Sequence, residues 1–504
     1  MNKYYITTTL PYVNAKPHIG HALEFIQADA VARYHRLLGD EVIFNTGTDE
    51  HGVKIWNKAQ EEGREIQAYV DEYAEKFGIL KDKLNLSYNK FIRTTDEKHI
   101  KAAQKFWELC DKNGDIYKKN YQTKYCVGCE LEKTDSELVD GKCPIHPNMD
   151  IELIDEKNYF FKFSAYTDKL LKLYSDNPEF IIPAHRQNEI KAFVERGLQD
   201  FSVSRLKSKM PWGIEVPGNS EHVMYVWFDA LINYISTLGW GSDDEKEFED
   251  FWPGVQVAGK DNLRQQTAMW QAMLMSAGIS NSKQVFIHGF INSGGQKMSK
   301  TMGNVVGPIE IQEKYGTDAL RFFMLGGMNS YEDGDFTVER FEEFYTAHLV
   351  NGVGNLTSRI LTMLENYSGG KVPGKHGGGV KKAIEENLWD KYEYLFKDYN
   401  FLLNITNINC GVSVLDELIS NEKPWEKFKA GEDIAPLLYE LAEGLRHIGL
   451  ALLPIIPESA KIILNSLGVE NVDKLNLEEE KEWGRLKPET KVKKPESLFP
   501  RLKK

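Results

Sequence analysis

The sequence predicts an α/β protein: a doubly wound parallel sheet, split by an insertion that carries a metal knuckle and followed by an α-helical bundle. Three observations carry that expectation. β-Branched and aromatic runs alternate with helical patterns in two separated blocks, residues 1–110 and 221–337. Between them, four metal-ligating side chains crowd into residues 126–146. From about 338 onward, helical periodicity takes over.

The first block opens with a strand at Tyr4–Thr9 and a helix reaching Leu38, in which Leu23, Ile26, Ala30 and Leu37 recur at helical spacing. A second strand covers Glu41–Phe44, and Thr46-Gly47-Thr48-Asp49-Glu50-His51-Gly52 reads as a loop at its carboxyl end, where α/β ligand sites form. The insertion, 111–220, holds short strands such as Tyr159–Phe163. Alternation resumes with strands at Tyr225–Asp229, Val255–Gly259 and Gln284–His288. In the bundle, 338–470, Phe341, Phe344, Tyr345, Leu349, Val353, Leu356, Ile360 and Leu364 lie on one helical stripe. Further helices are expected near Ala383–Phe396, Phe401–Ile419 and Pro436–Leu453, the last with proline in its first turn. The tail, 471–504, is charged and proline-rich and is expected to pack back as an extended segment.

Two short runs carry chemistry. Pro17-His18-Ile19-Gly20-His21 sits at the junction of the first strand and first helix, where free N–H groups and the helix dipole favour an anion. Lys297-Met298-Ser299-Lys300, flanked by Gly294-Gly295 and Gly303, puts two lysines on a loop, as a departing polyphosphate requires. Together they predict activation of a substrate with ATP.

Composition sets the limits. The chain has 504 residues, a net charge of −13 and 12% aromatic residues, so several globular domains are expected. No apolar run reaches the ~18 residues of a membrane span, and Met1-Asn2-Lys3 runs straight into a strand without a signal peptide, which predicts a cytoplasmic protein. The acidic surplus argues against non-specific RNA binding, so any RNA contact must use local basic patches and shape.

Cys126-x2-Cys129-x13-Cys143-x2-His146 matches two knuckles around one tetrahedral Zn²⁺. Four protein ligands leave no open position, so the expected zinc is structural. Cys110 and Cys410 stand apart and read as buried small hydrophobes.

The pair of runs resembles the signature of class I aminoacyl-tRNA synthetases. Thr9-Leu10-Pro11-Tyr12-Val13-Asn14, the Gly-Thr-Asp-Glu-His-Gly loop, Tyr-Val-Trp-Phe-Asp-Ala, Gly259-Lys260-Asp261 and Lys-Met-Ser-Lys-Thr resemble the methionyl-tRNA synthetase family, and the knuckle resembles its single-zinc bacterial form. The likeness extends from Tyr4 to Leu498-Phe499-Pro500. It implies a Rossmann-type catalytic sheet, ATP with Mg²⁺, L-methionine and tRNA(Met), including the initiator, as substrates, and formation of methionyl-adenylate before transfer to the terminal ribose. It also implies site residues. His18, His21, Lys297 and Lys300 would be catalytic, and His18, Gly20, His21, Gly259, Asp261, Lys297, Ser299 and Lys300 would hold ATP. Leu10, Tyr12, Trp227, Ala230, Tyr234, Gln266 and Trp270 would enclose the methionine side chain, with Asp49 on its ammonium. Asn355, Arg359 and Trp425 would read the anticodon. Without an appended C-terminal RNA-binding module, a monomer is expected.

One stretch departs from the family: the usual Phe and His after Gly259-Lys260-Asp261 are Gln265 and Gln266. Buried amides must be hydrogen-bonded or cost about 1–3 kcal/mol. Two alternatives are another class I synthetase and a tRNA-binding paralogue without catalysis. The first is opposed by the closed knuckle and the Trp-rich pocket, the second by intact His18, His21, Lys297 and Lys300.

Overall fold

The computed structural model describes residues 2–129, 131–133, 135–298, 304–374 and 378–502. Its centre is a six-stranded parallel sheet of β1 (Lys3–Thr8), β2 (Glu41–Thr48), β3 (Lys90–Arg93), β4 (Ile181–Ile182), β5 (Val255–Gly259) and β6 (Gln284–His288). The spatial order is β3-β2-β1-β5-β6-β4. Ile6 faces both Phe44 of β2 and Val255 of β5. All five residues of β5 are buried, as expected of a strand covered on both faces. The chain leaves β1 toward β2 on one side, while β5 flanks β1 on the other. That arrangement makes a topological switch point between β1 and β5, where a crevice opens at the carboxyl ends of the strands.

Two helices matter most for the site. α1 (Ile19–Leu37) follows β1 and is buried along most of its length, lying between the sheet and later helices. α2 (Val53–Glu61) follows β2. The expected loop at Thr46-Gly47-Thr48 is instead strand: β2 runs to Thr48, because it pairs with β3 through Thr48↔Arg93. Gly47 is required there, since a Cβ would lie 1.7 Å from the Ile92 carbonyl oxygen.

The insertion is a four-stranded antiparallel sheet. Its two long strands, Ile116–Cys126 and Ile151–Phe161, pair without interruption from Ile116↔Phe161 to Cys126↔Ile151. The expected short strand at Tyr159–Phe163 is therefore the end of an eleven-residue strand, and Phe163 starts a 3₁₀ turn. Ile181–Ile182, inside the segment read as insertion, returns to the central sheet as its edge. Tyr225–Asp229 is not a strand either. Val226–Ala230 is a short helix wedged between the cavity and the core, which accounts for an apolar run without strand alternation.

The C-terminal half is helical. The helix expected over Ala383–Phe396 divides into Lys381–Leu388 and Tyr392–Lys397, and Phe401–Glu422 and Ala435–Leu452 match expectation closely. Cys110 is buried, whereas Cys410 is exposed on the outer face of Phe401–Glu422. The tail packs back as extended chain: Val372 N–H bonds to Thr490 O, Val492 N–H to Gly370 O, and Phe499 is buried. Among the described residues, no helix is long and apolar enough to cross a membrane.

Candidate active site

A cavity of about 460 Å³ opens at the switch point. The segment after β1 supplies Leu10 and Tyr12, the start of α1 supplies His18, Gly20 and His21, and the end of β5 supplies Gly259 and Asp261. Asp49, Trp227, Ala230, Tyr234, Gln266 and Lys297 complete the expected set along its wall. Ser299 and Lys300, with Thr301, lie outside the described residues. Trp270 is fully buried behind Tyr234, with ring centroids 5.9 Å apart, and does not line the cavity. Packing on Phe106 and Trp252 holds it there.

His18 caps α1. Its Nδ1 accepts from Gly20 N–H at 3.1 Å, while His21 Nδ1 accepts from His18 N–H at 3.2 Å, so the two imidazoles form a reciprocal capping box. Both Nδ1 atoms act as acceptors, so each neutral ring must carry its proton on Nε2. Burial lowers His18 to about 4; burial, together with His18 itself, also lowers His21. At neutral pH the site therefore presents two neutral imidazole N–H donors at a helix N-terminus, a setting suited to a phosphate.

The lysine run begins as a hairpin. Ile291–Ser293 pairs with Gln296–Lys297 around Gly294-Gly295, both with positive φ (62° and 73°), as a two-residue type I′ turn demands. Lys297 is exposed at the cavity rim.

Asp49 is tied to the other wall by backbone: its N–H bonds to Pro11 O at 2.9 Å, and its carbonyl accepts from Val13 N–H at 3.1 Å. Its neighbours anchor the loop. Glu50 is buried and accepts from Arg93 Nε and Thr95 Oγ1, both at 2.6 Å. His51 Nδ1 meets Asp229 at 2.7 Å, and His99 Nε2 reaches the other oxygen of Asp229 at 2.8 Å. Burial would raise that carboxyl, but the two imidazoles outweigh it and hold it below the usual carboxylate range.

Sequence reasoning missed several lining residues. Glu24 accepts from Thr9 N–H and Oγ1 at 2.8 and 2.6 Å, and it meets His288 Nε2 at 3.0 Å. Burial opposes protonation of His288, yet Glu24 raises it overall. Glu24 stands three residues after His21 and so shares its helix face, a signal that was available. Lys54 was also missed.

The knuckle forms part of the cavity wall through Gly128, Cys129, Ile145 and His146. The ligand atoms of Cys126, Cys129, Cys143 and His146 lie within 4.8 Å of one another, with Cys129 Sγ 3.2 Å from His146 Nδ1. Three thiols and an imidazole converging on one point fit a tetrahedral Zn²⁺.

In the bundle, Asn355 and Arg359 stand one turn apart on Asn355–Tyr367, and Arg359 pairs with Asp416. Trp425, 38% exposed, follows Pro424 at the start of another helix.

A family model described as tRNA synthetases class I (M) matches residues 4–150 and 147–361. A Thermosynechococcus vestitus methionine–tRNA ligase is 39% identical, covering 99% of this chain and 97% of that one. The chain belongs to the methionine–tRNA ligase family of class I aminoacyl-tRNA synthetases. A Brucella suis methionine–tRNA ligase is 41% identical over 93% of this chain and 92% of its own. Among solved structures, Mycobacterium tuberculosis methionyl-tRNA synthetase in complex with methionyl-adenylate matches with a TM-score of 0.94 at 36% identity, covering 99% of this chain and all of that one. Membership makes the chain an enzyme, an ATP-dependent ligase of methionine to tRNA.

Proposed function

We propose that the cavity at the β1/β5 switch point performs both halves of this reaction, with roles divided along its wall. The observation that carries the reading is the convergence of a neutral His18/His21 cap, Lys297, Asp49 and the Tyr234–Gln266 pair on one cavity. His18 and His21 donate to ATP phosphate, Gly259 and Asp261 hold the ribose, and Lys297, with Ser299 and Lys300, meets the departing pyrophosphate and its Mg²⁺. Asp49 holds the ammonium of methionine. Leu10, Tyr12, Trp227, Ala230 and Tyr234 enclose a thioether that favours apolar and aromatic walls.

The methionine carboxylate then attacks the α-phosphate in line, and the P–O bond to pyrophosphate breaks. Positioning and charge stabilisation supply the rate. The 2′-hydroxyl of the tRNA terminal adenosine next attacks the mixed anhydride, releasing AMP. Zinc holds the knuckle as structure and takes no part in the chemistry. Its thiolate ligands suit a reducing compartment, and a cytoplasmic, monomeric enzyme that serves initiator tRNA as well belongs to the same proposal.

Methionine-dependent ATP–pyrophosphate exchange tests the first half. Exchange is expected with methionine and not with cysteine, leucine, isoleucine or valine; exchange driven by one of those would overturn the pocket assignment. For the bundle, Trp425→Ala should slow tRNA charging about tenfold or more, the order of one lost base stack, and spare exchange. Equal loss in both assays would remove Trp425 from anticodon reading.

A further inference from the structure

Lys54 sits in the first turn of α2, just past the loop that carries Asp49, and lines the cavity. Its Nζ donates to the Gly128 carbonyl of the knuckle at 2.7 Å and lies 5.5 Å from the centre of the Tyr12 ring. An ammonium has three donors, and the Gly128 carbonyl uses one. Among the described residues, Lys54 forms no ion pair with a carboxylate, although ion pairs are common elsewhere in this acidic chain. The first turn of α2 also lacks an acidic residue, so the helix dipole adds to the positive field there. A half-buried cation that no described carboxylate pairs, at the seam between knuckle and catalytic sheet, is suited to meet an anion that arrives with the substrates.

The geometry points to Lys54 as a phosphate-holding residue where the knuckle meets the cavity, taking a phosphodiester of the tRNA 3′ end during transfer. The inference rests on the cavity reading above. Two substrates bring phosphate, ATP and tRNA. The polynucleotide is favoured because the hydrogen-bond partner of Lys54 belongs to the knuckle, whose Ile145 is exposed while lining the same cavity and so gives that wall a solvent-facing side. ATP already has the His18/His21 cap and Lys297.

The test separates charge from docking. Lys54→Gln keeps an N–H for the Gly128 carbonyl but loses the charge, Lys54→Met loses both, and Lys54→Arg keeps both. Transfer from preformed adenylate to tRNA is measured in a single turnover, beside methionine-dependent exchange. In Lys54→Met and Lys54→Gln, transfer should fall about tenfold or more relative to exchange, the scale of one charge-assisted hydrogen bond. Lys54→Arg should stay within about threefold of wild type, and the salt dependence of transfer should lose about 0.7 of a unit of slope in the uncharged variants, the value for one phosphate of a single strand. If Lys54→Gln behaves as wild type while Lys54→Met fails, the residue only docks the knuckle and the proposal is overturned. Equal loss of exchange would assign the phosphate to ATP and overturn the tRNA source. Unaffected transfer in all three variants would remove the role altogether. Absence of exchange in the wild-type chain would strike the cavity reading itself, and the proposal with it.

Discussion

Of the two glutamines that depart from the family, Gln266 is absorbed into a hydrogen-bonded network, whereas the Oε1 of buried Gln265 has no hydrogen-bond partner among the described residues. Gln266 Nε2 donates to Tyr234 Oη at 2.7 Å, and its Oε1 accepts from Gln256 Nε2 at 3.3 Å. Gln256 Oε1 in turn accepts from Ser282 Oγ at 2.8 Å, and Gln271 Nε2 closes the set on the Gln266 carbonyl at 2.9 Å. Gln256, Gln266 and Gln271 are all but fully buried. Because Gln266 donates into the Tyr234 oxygen, the Tyr234 proton is left for another acceptor, and both residues line the cavity. Gln266→Leu removes this donor and strands the amide of Gln256, a loss of about 1–3 kcal/mol. The expected result in exchange kinetics is a rise of about tenfold in KM for methionine, with KM for ATP within about twofold. Equal rises would show a general collapse of the cavity rather than a lost side-chain contact. The sequence revealed that two amides stand in the wall but not what satisfies Gln266, since Gln256 and Ser282 come from separate stretches of chain that only the sheet brings together. Glu24 and His288, 264 positions apart, were hidden for the same reason.

At the scale of elements, legibility followed periodicity. α1, β5, β6 and the two long bundle helices were readable because their apolar spacing is unambiguous over their whole length. Short apolar segments were not. Tyr225–Asp229 has strand-like composition and becomes a helix, and Thr46–Thr48 has loop-like composition and becomes strand, in each case because neighbouring elements decide. The knuckle was legible as a donor pattern, but its place in the cavity wall was not. That place has a consequence for metal removal. Cys129 Sγ and His146 Nδ1, 3.2 Å apart, are spaced to share one metal ion with Cys126 and Cys143, and both residues line the cavity. One zinc per chain is expected by elemental analysis. Stripping it with a strong chelator should open residues 126–146 to protease and slow exchange, and zinc should restore both. A metal-free chain with unchanged protease resistance would show that hydrogen bonds alone hold the knuckle.

For the whole molecule, the decisive feature is a buried charge pair that joins the parts. Asp29, midway along α1, meets Arg321 at 2.7 Å, and both are fully buried. Arg321 also donates to the carbonyls of Ile455 in the bundle, at 2.9 Å, and of Leu84 beside the sheet, at 3.1 Å. Asp29 further accepts from Arg33 Nε at 2.6 Å and from Ser87. One carboxylate therefore fixes the helix that begins at His18 relative to the bundle. Nothing in the sequence of α1 singles out Asp29, because its neighbours Glu24 and Gln27 are polar and buried as well. Burial alone would raise its pKa, but Arg33 and Arg321 outweigh that and bring it to about 2 from 3.8. A depressed carboxyl stabilises the fold above its unfolded value and loses that contribution as pH falls through the folded one. Stability should thus hold above about pH 4 and fall toward pH 2, with about 1 kcal/mol of this contribution lost by pH 3. Asp29→Asn leaves Arg321 buried without its counter-charge, which should cost about 3–5 kcal/mol at pH 7. Urea unfolding of both proteins at pH 7 and pH 3 measures the difference. The gap should narrow by about 1 kcal/mol at the lower pH, since protonation takes from the wild type what the variant already lacks. A gap of the same size at both values would mean that Asp29 contributes through shape rather than charge, and the link between α1 and the bundle would then be one of packing.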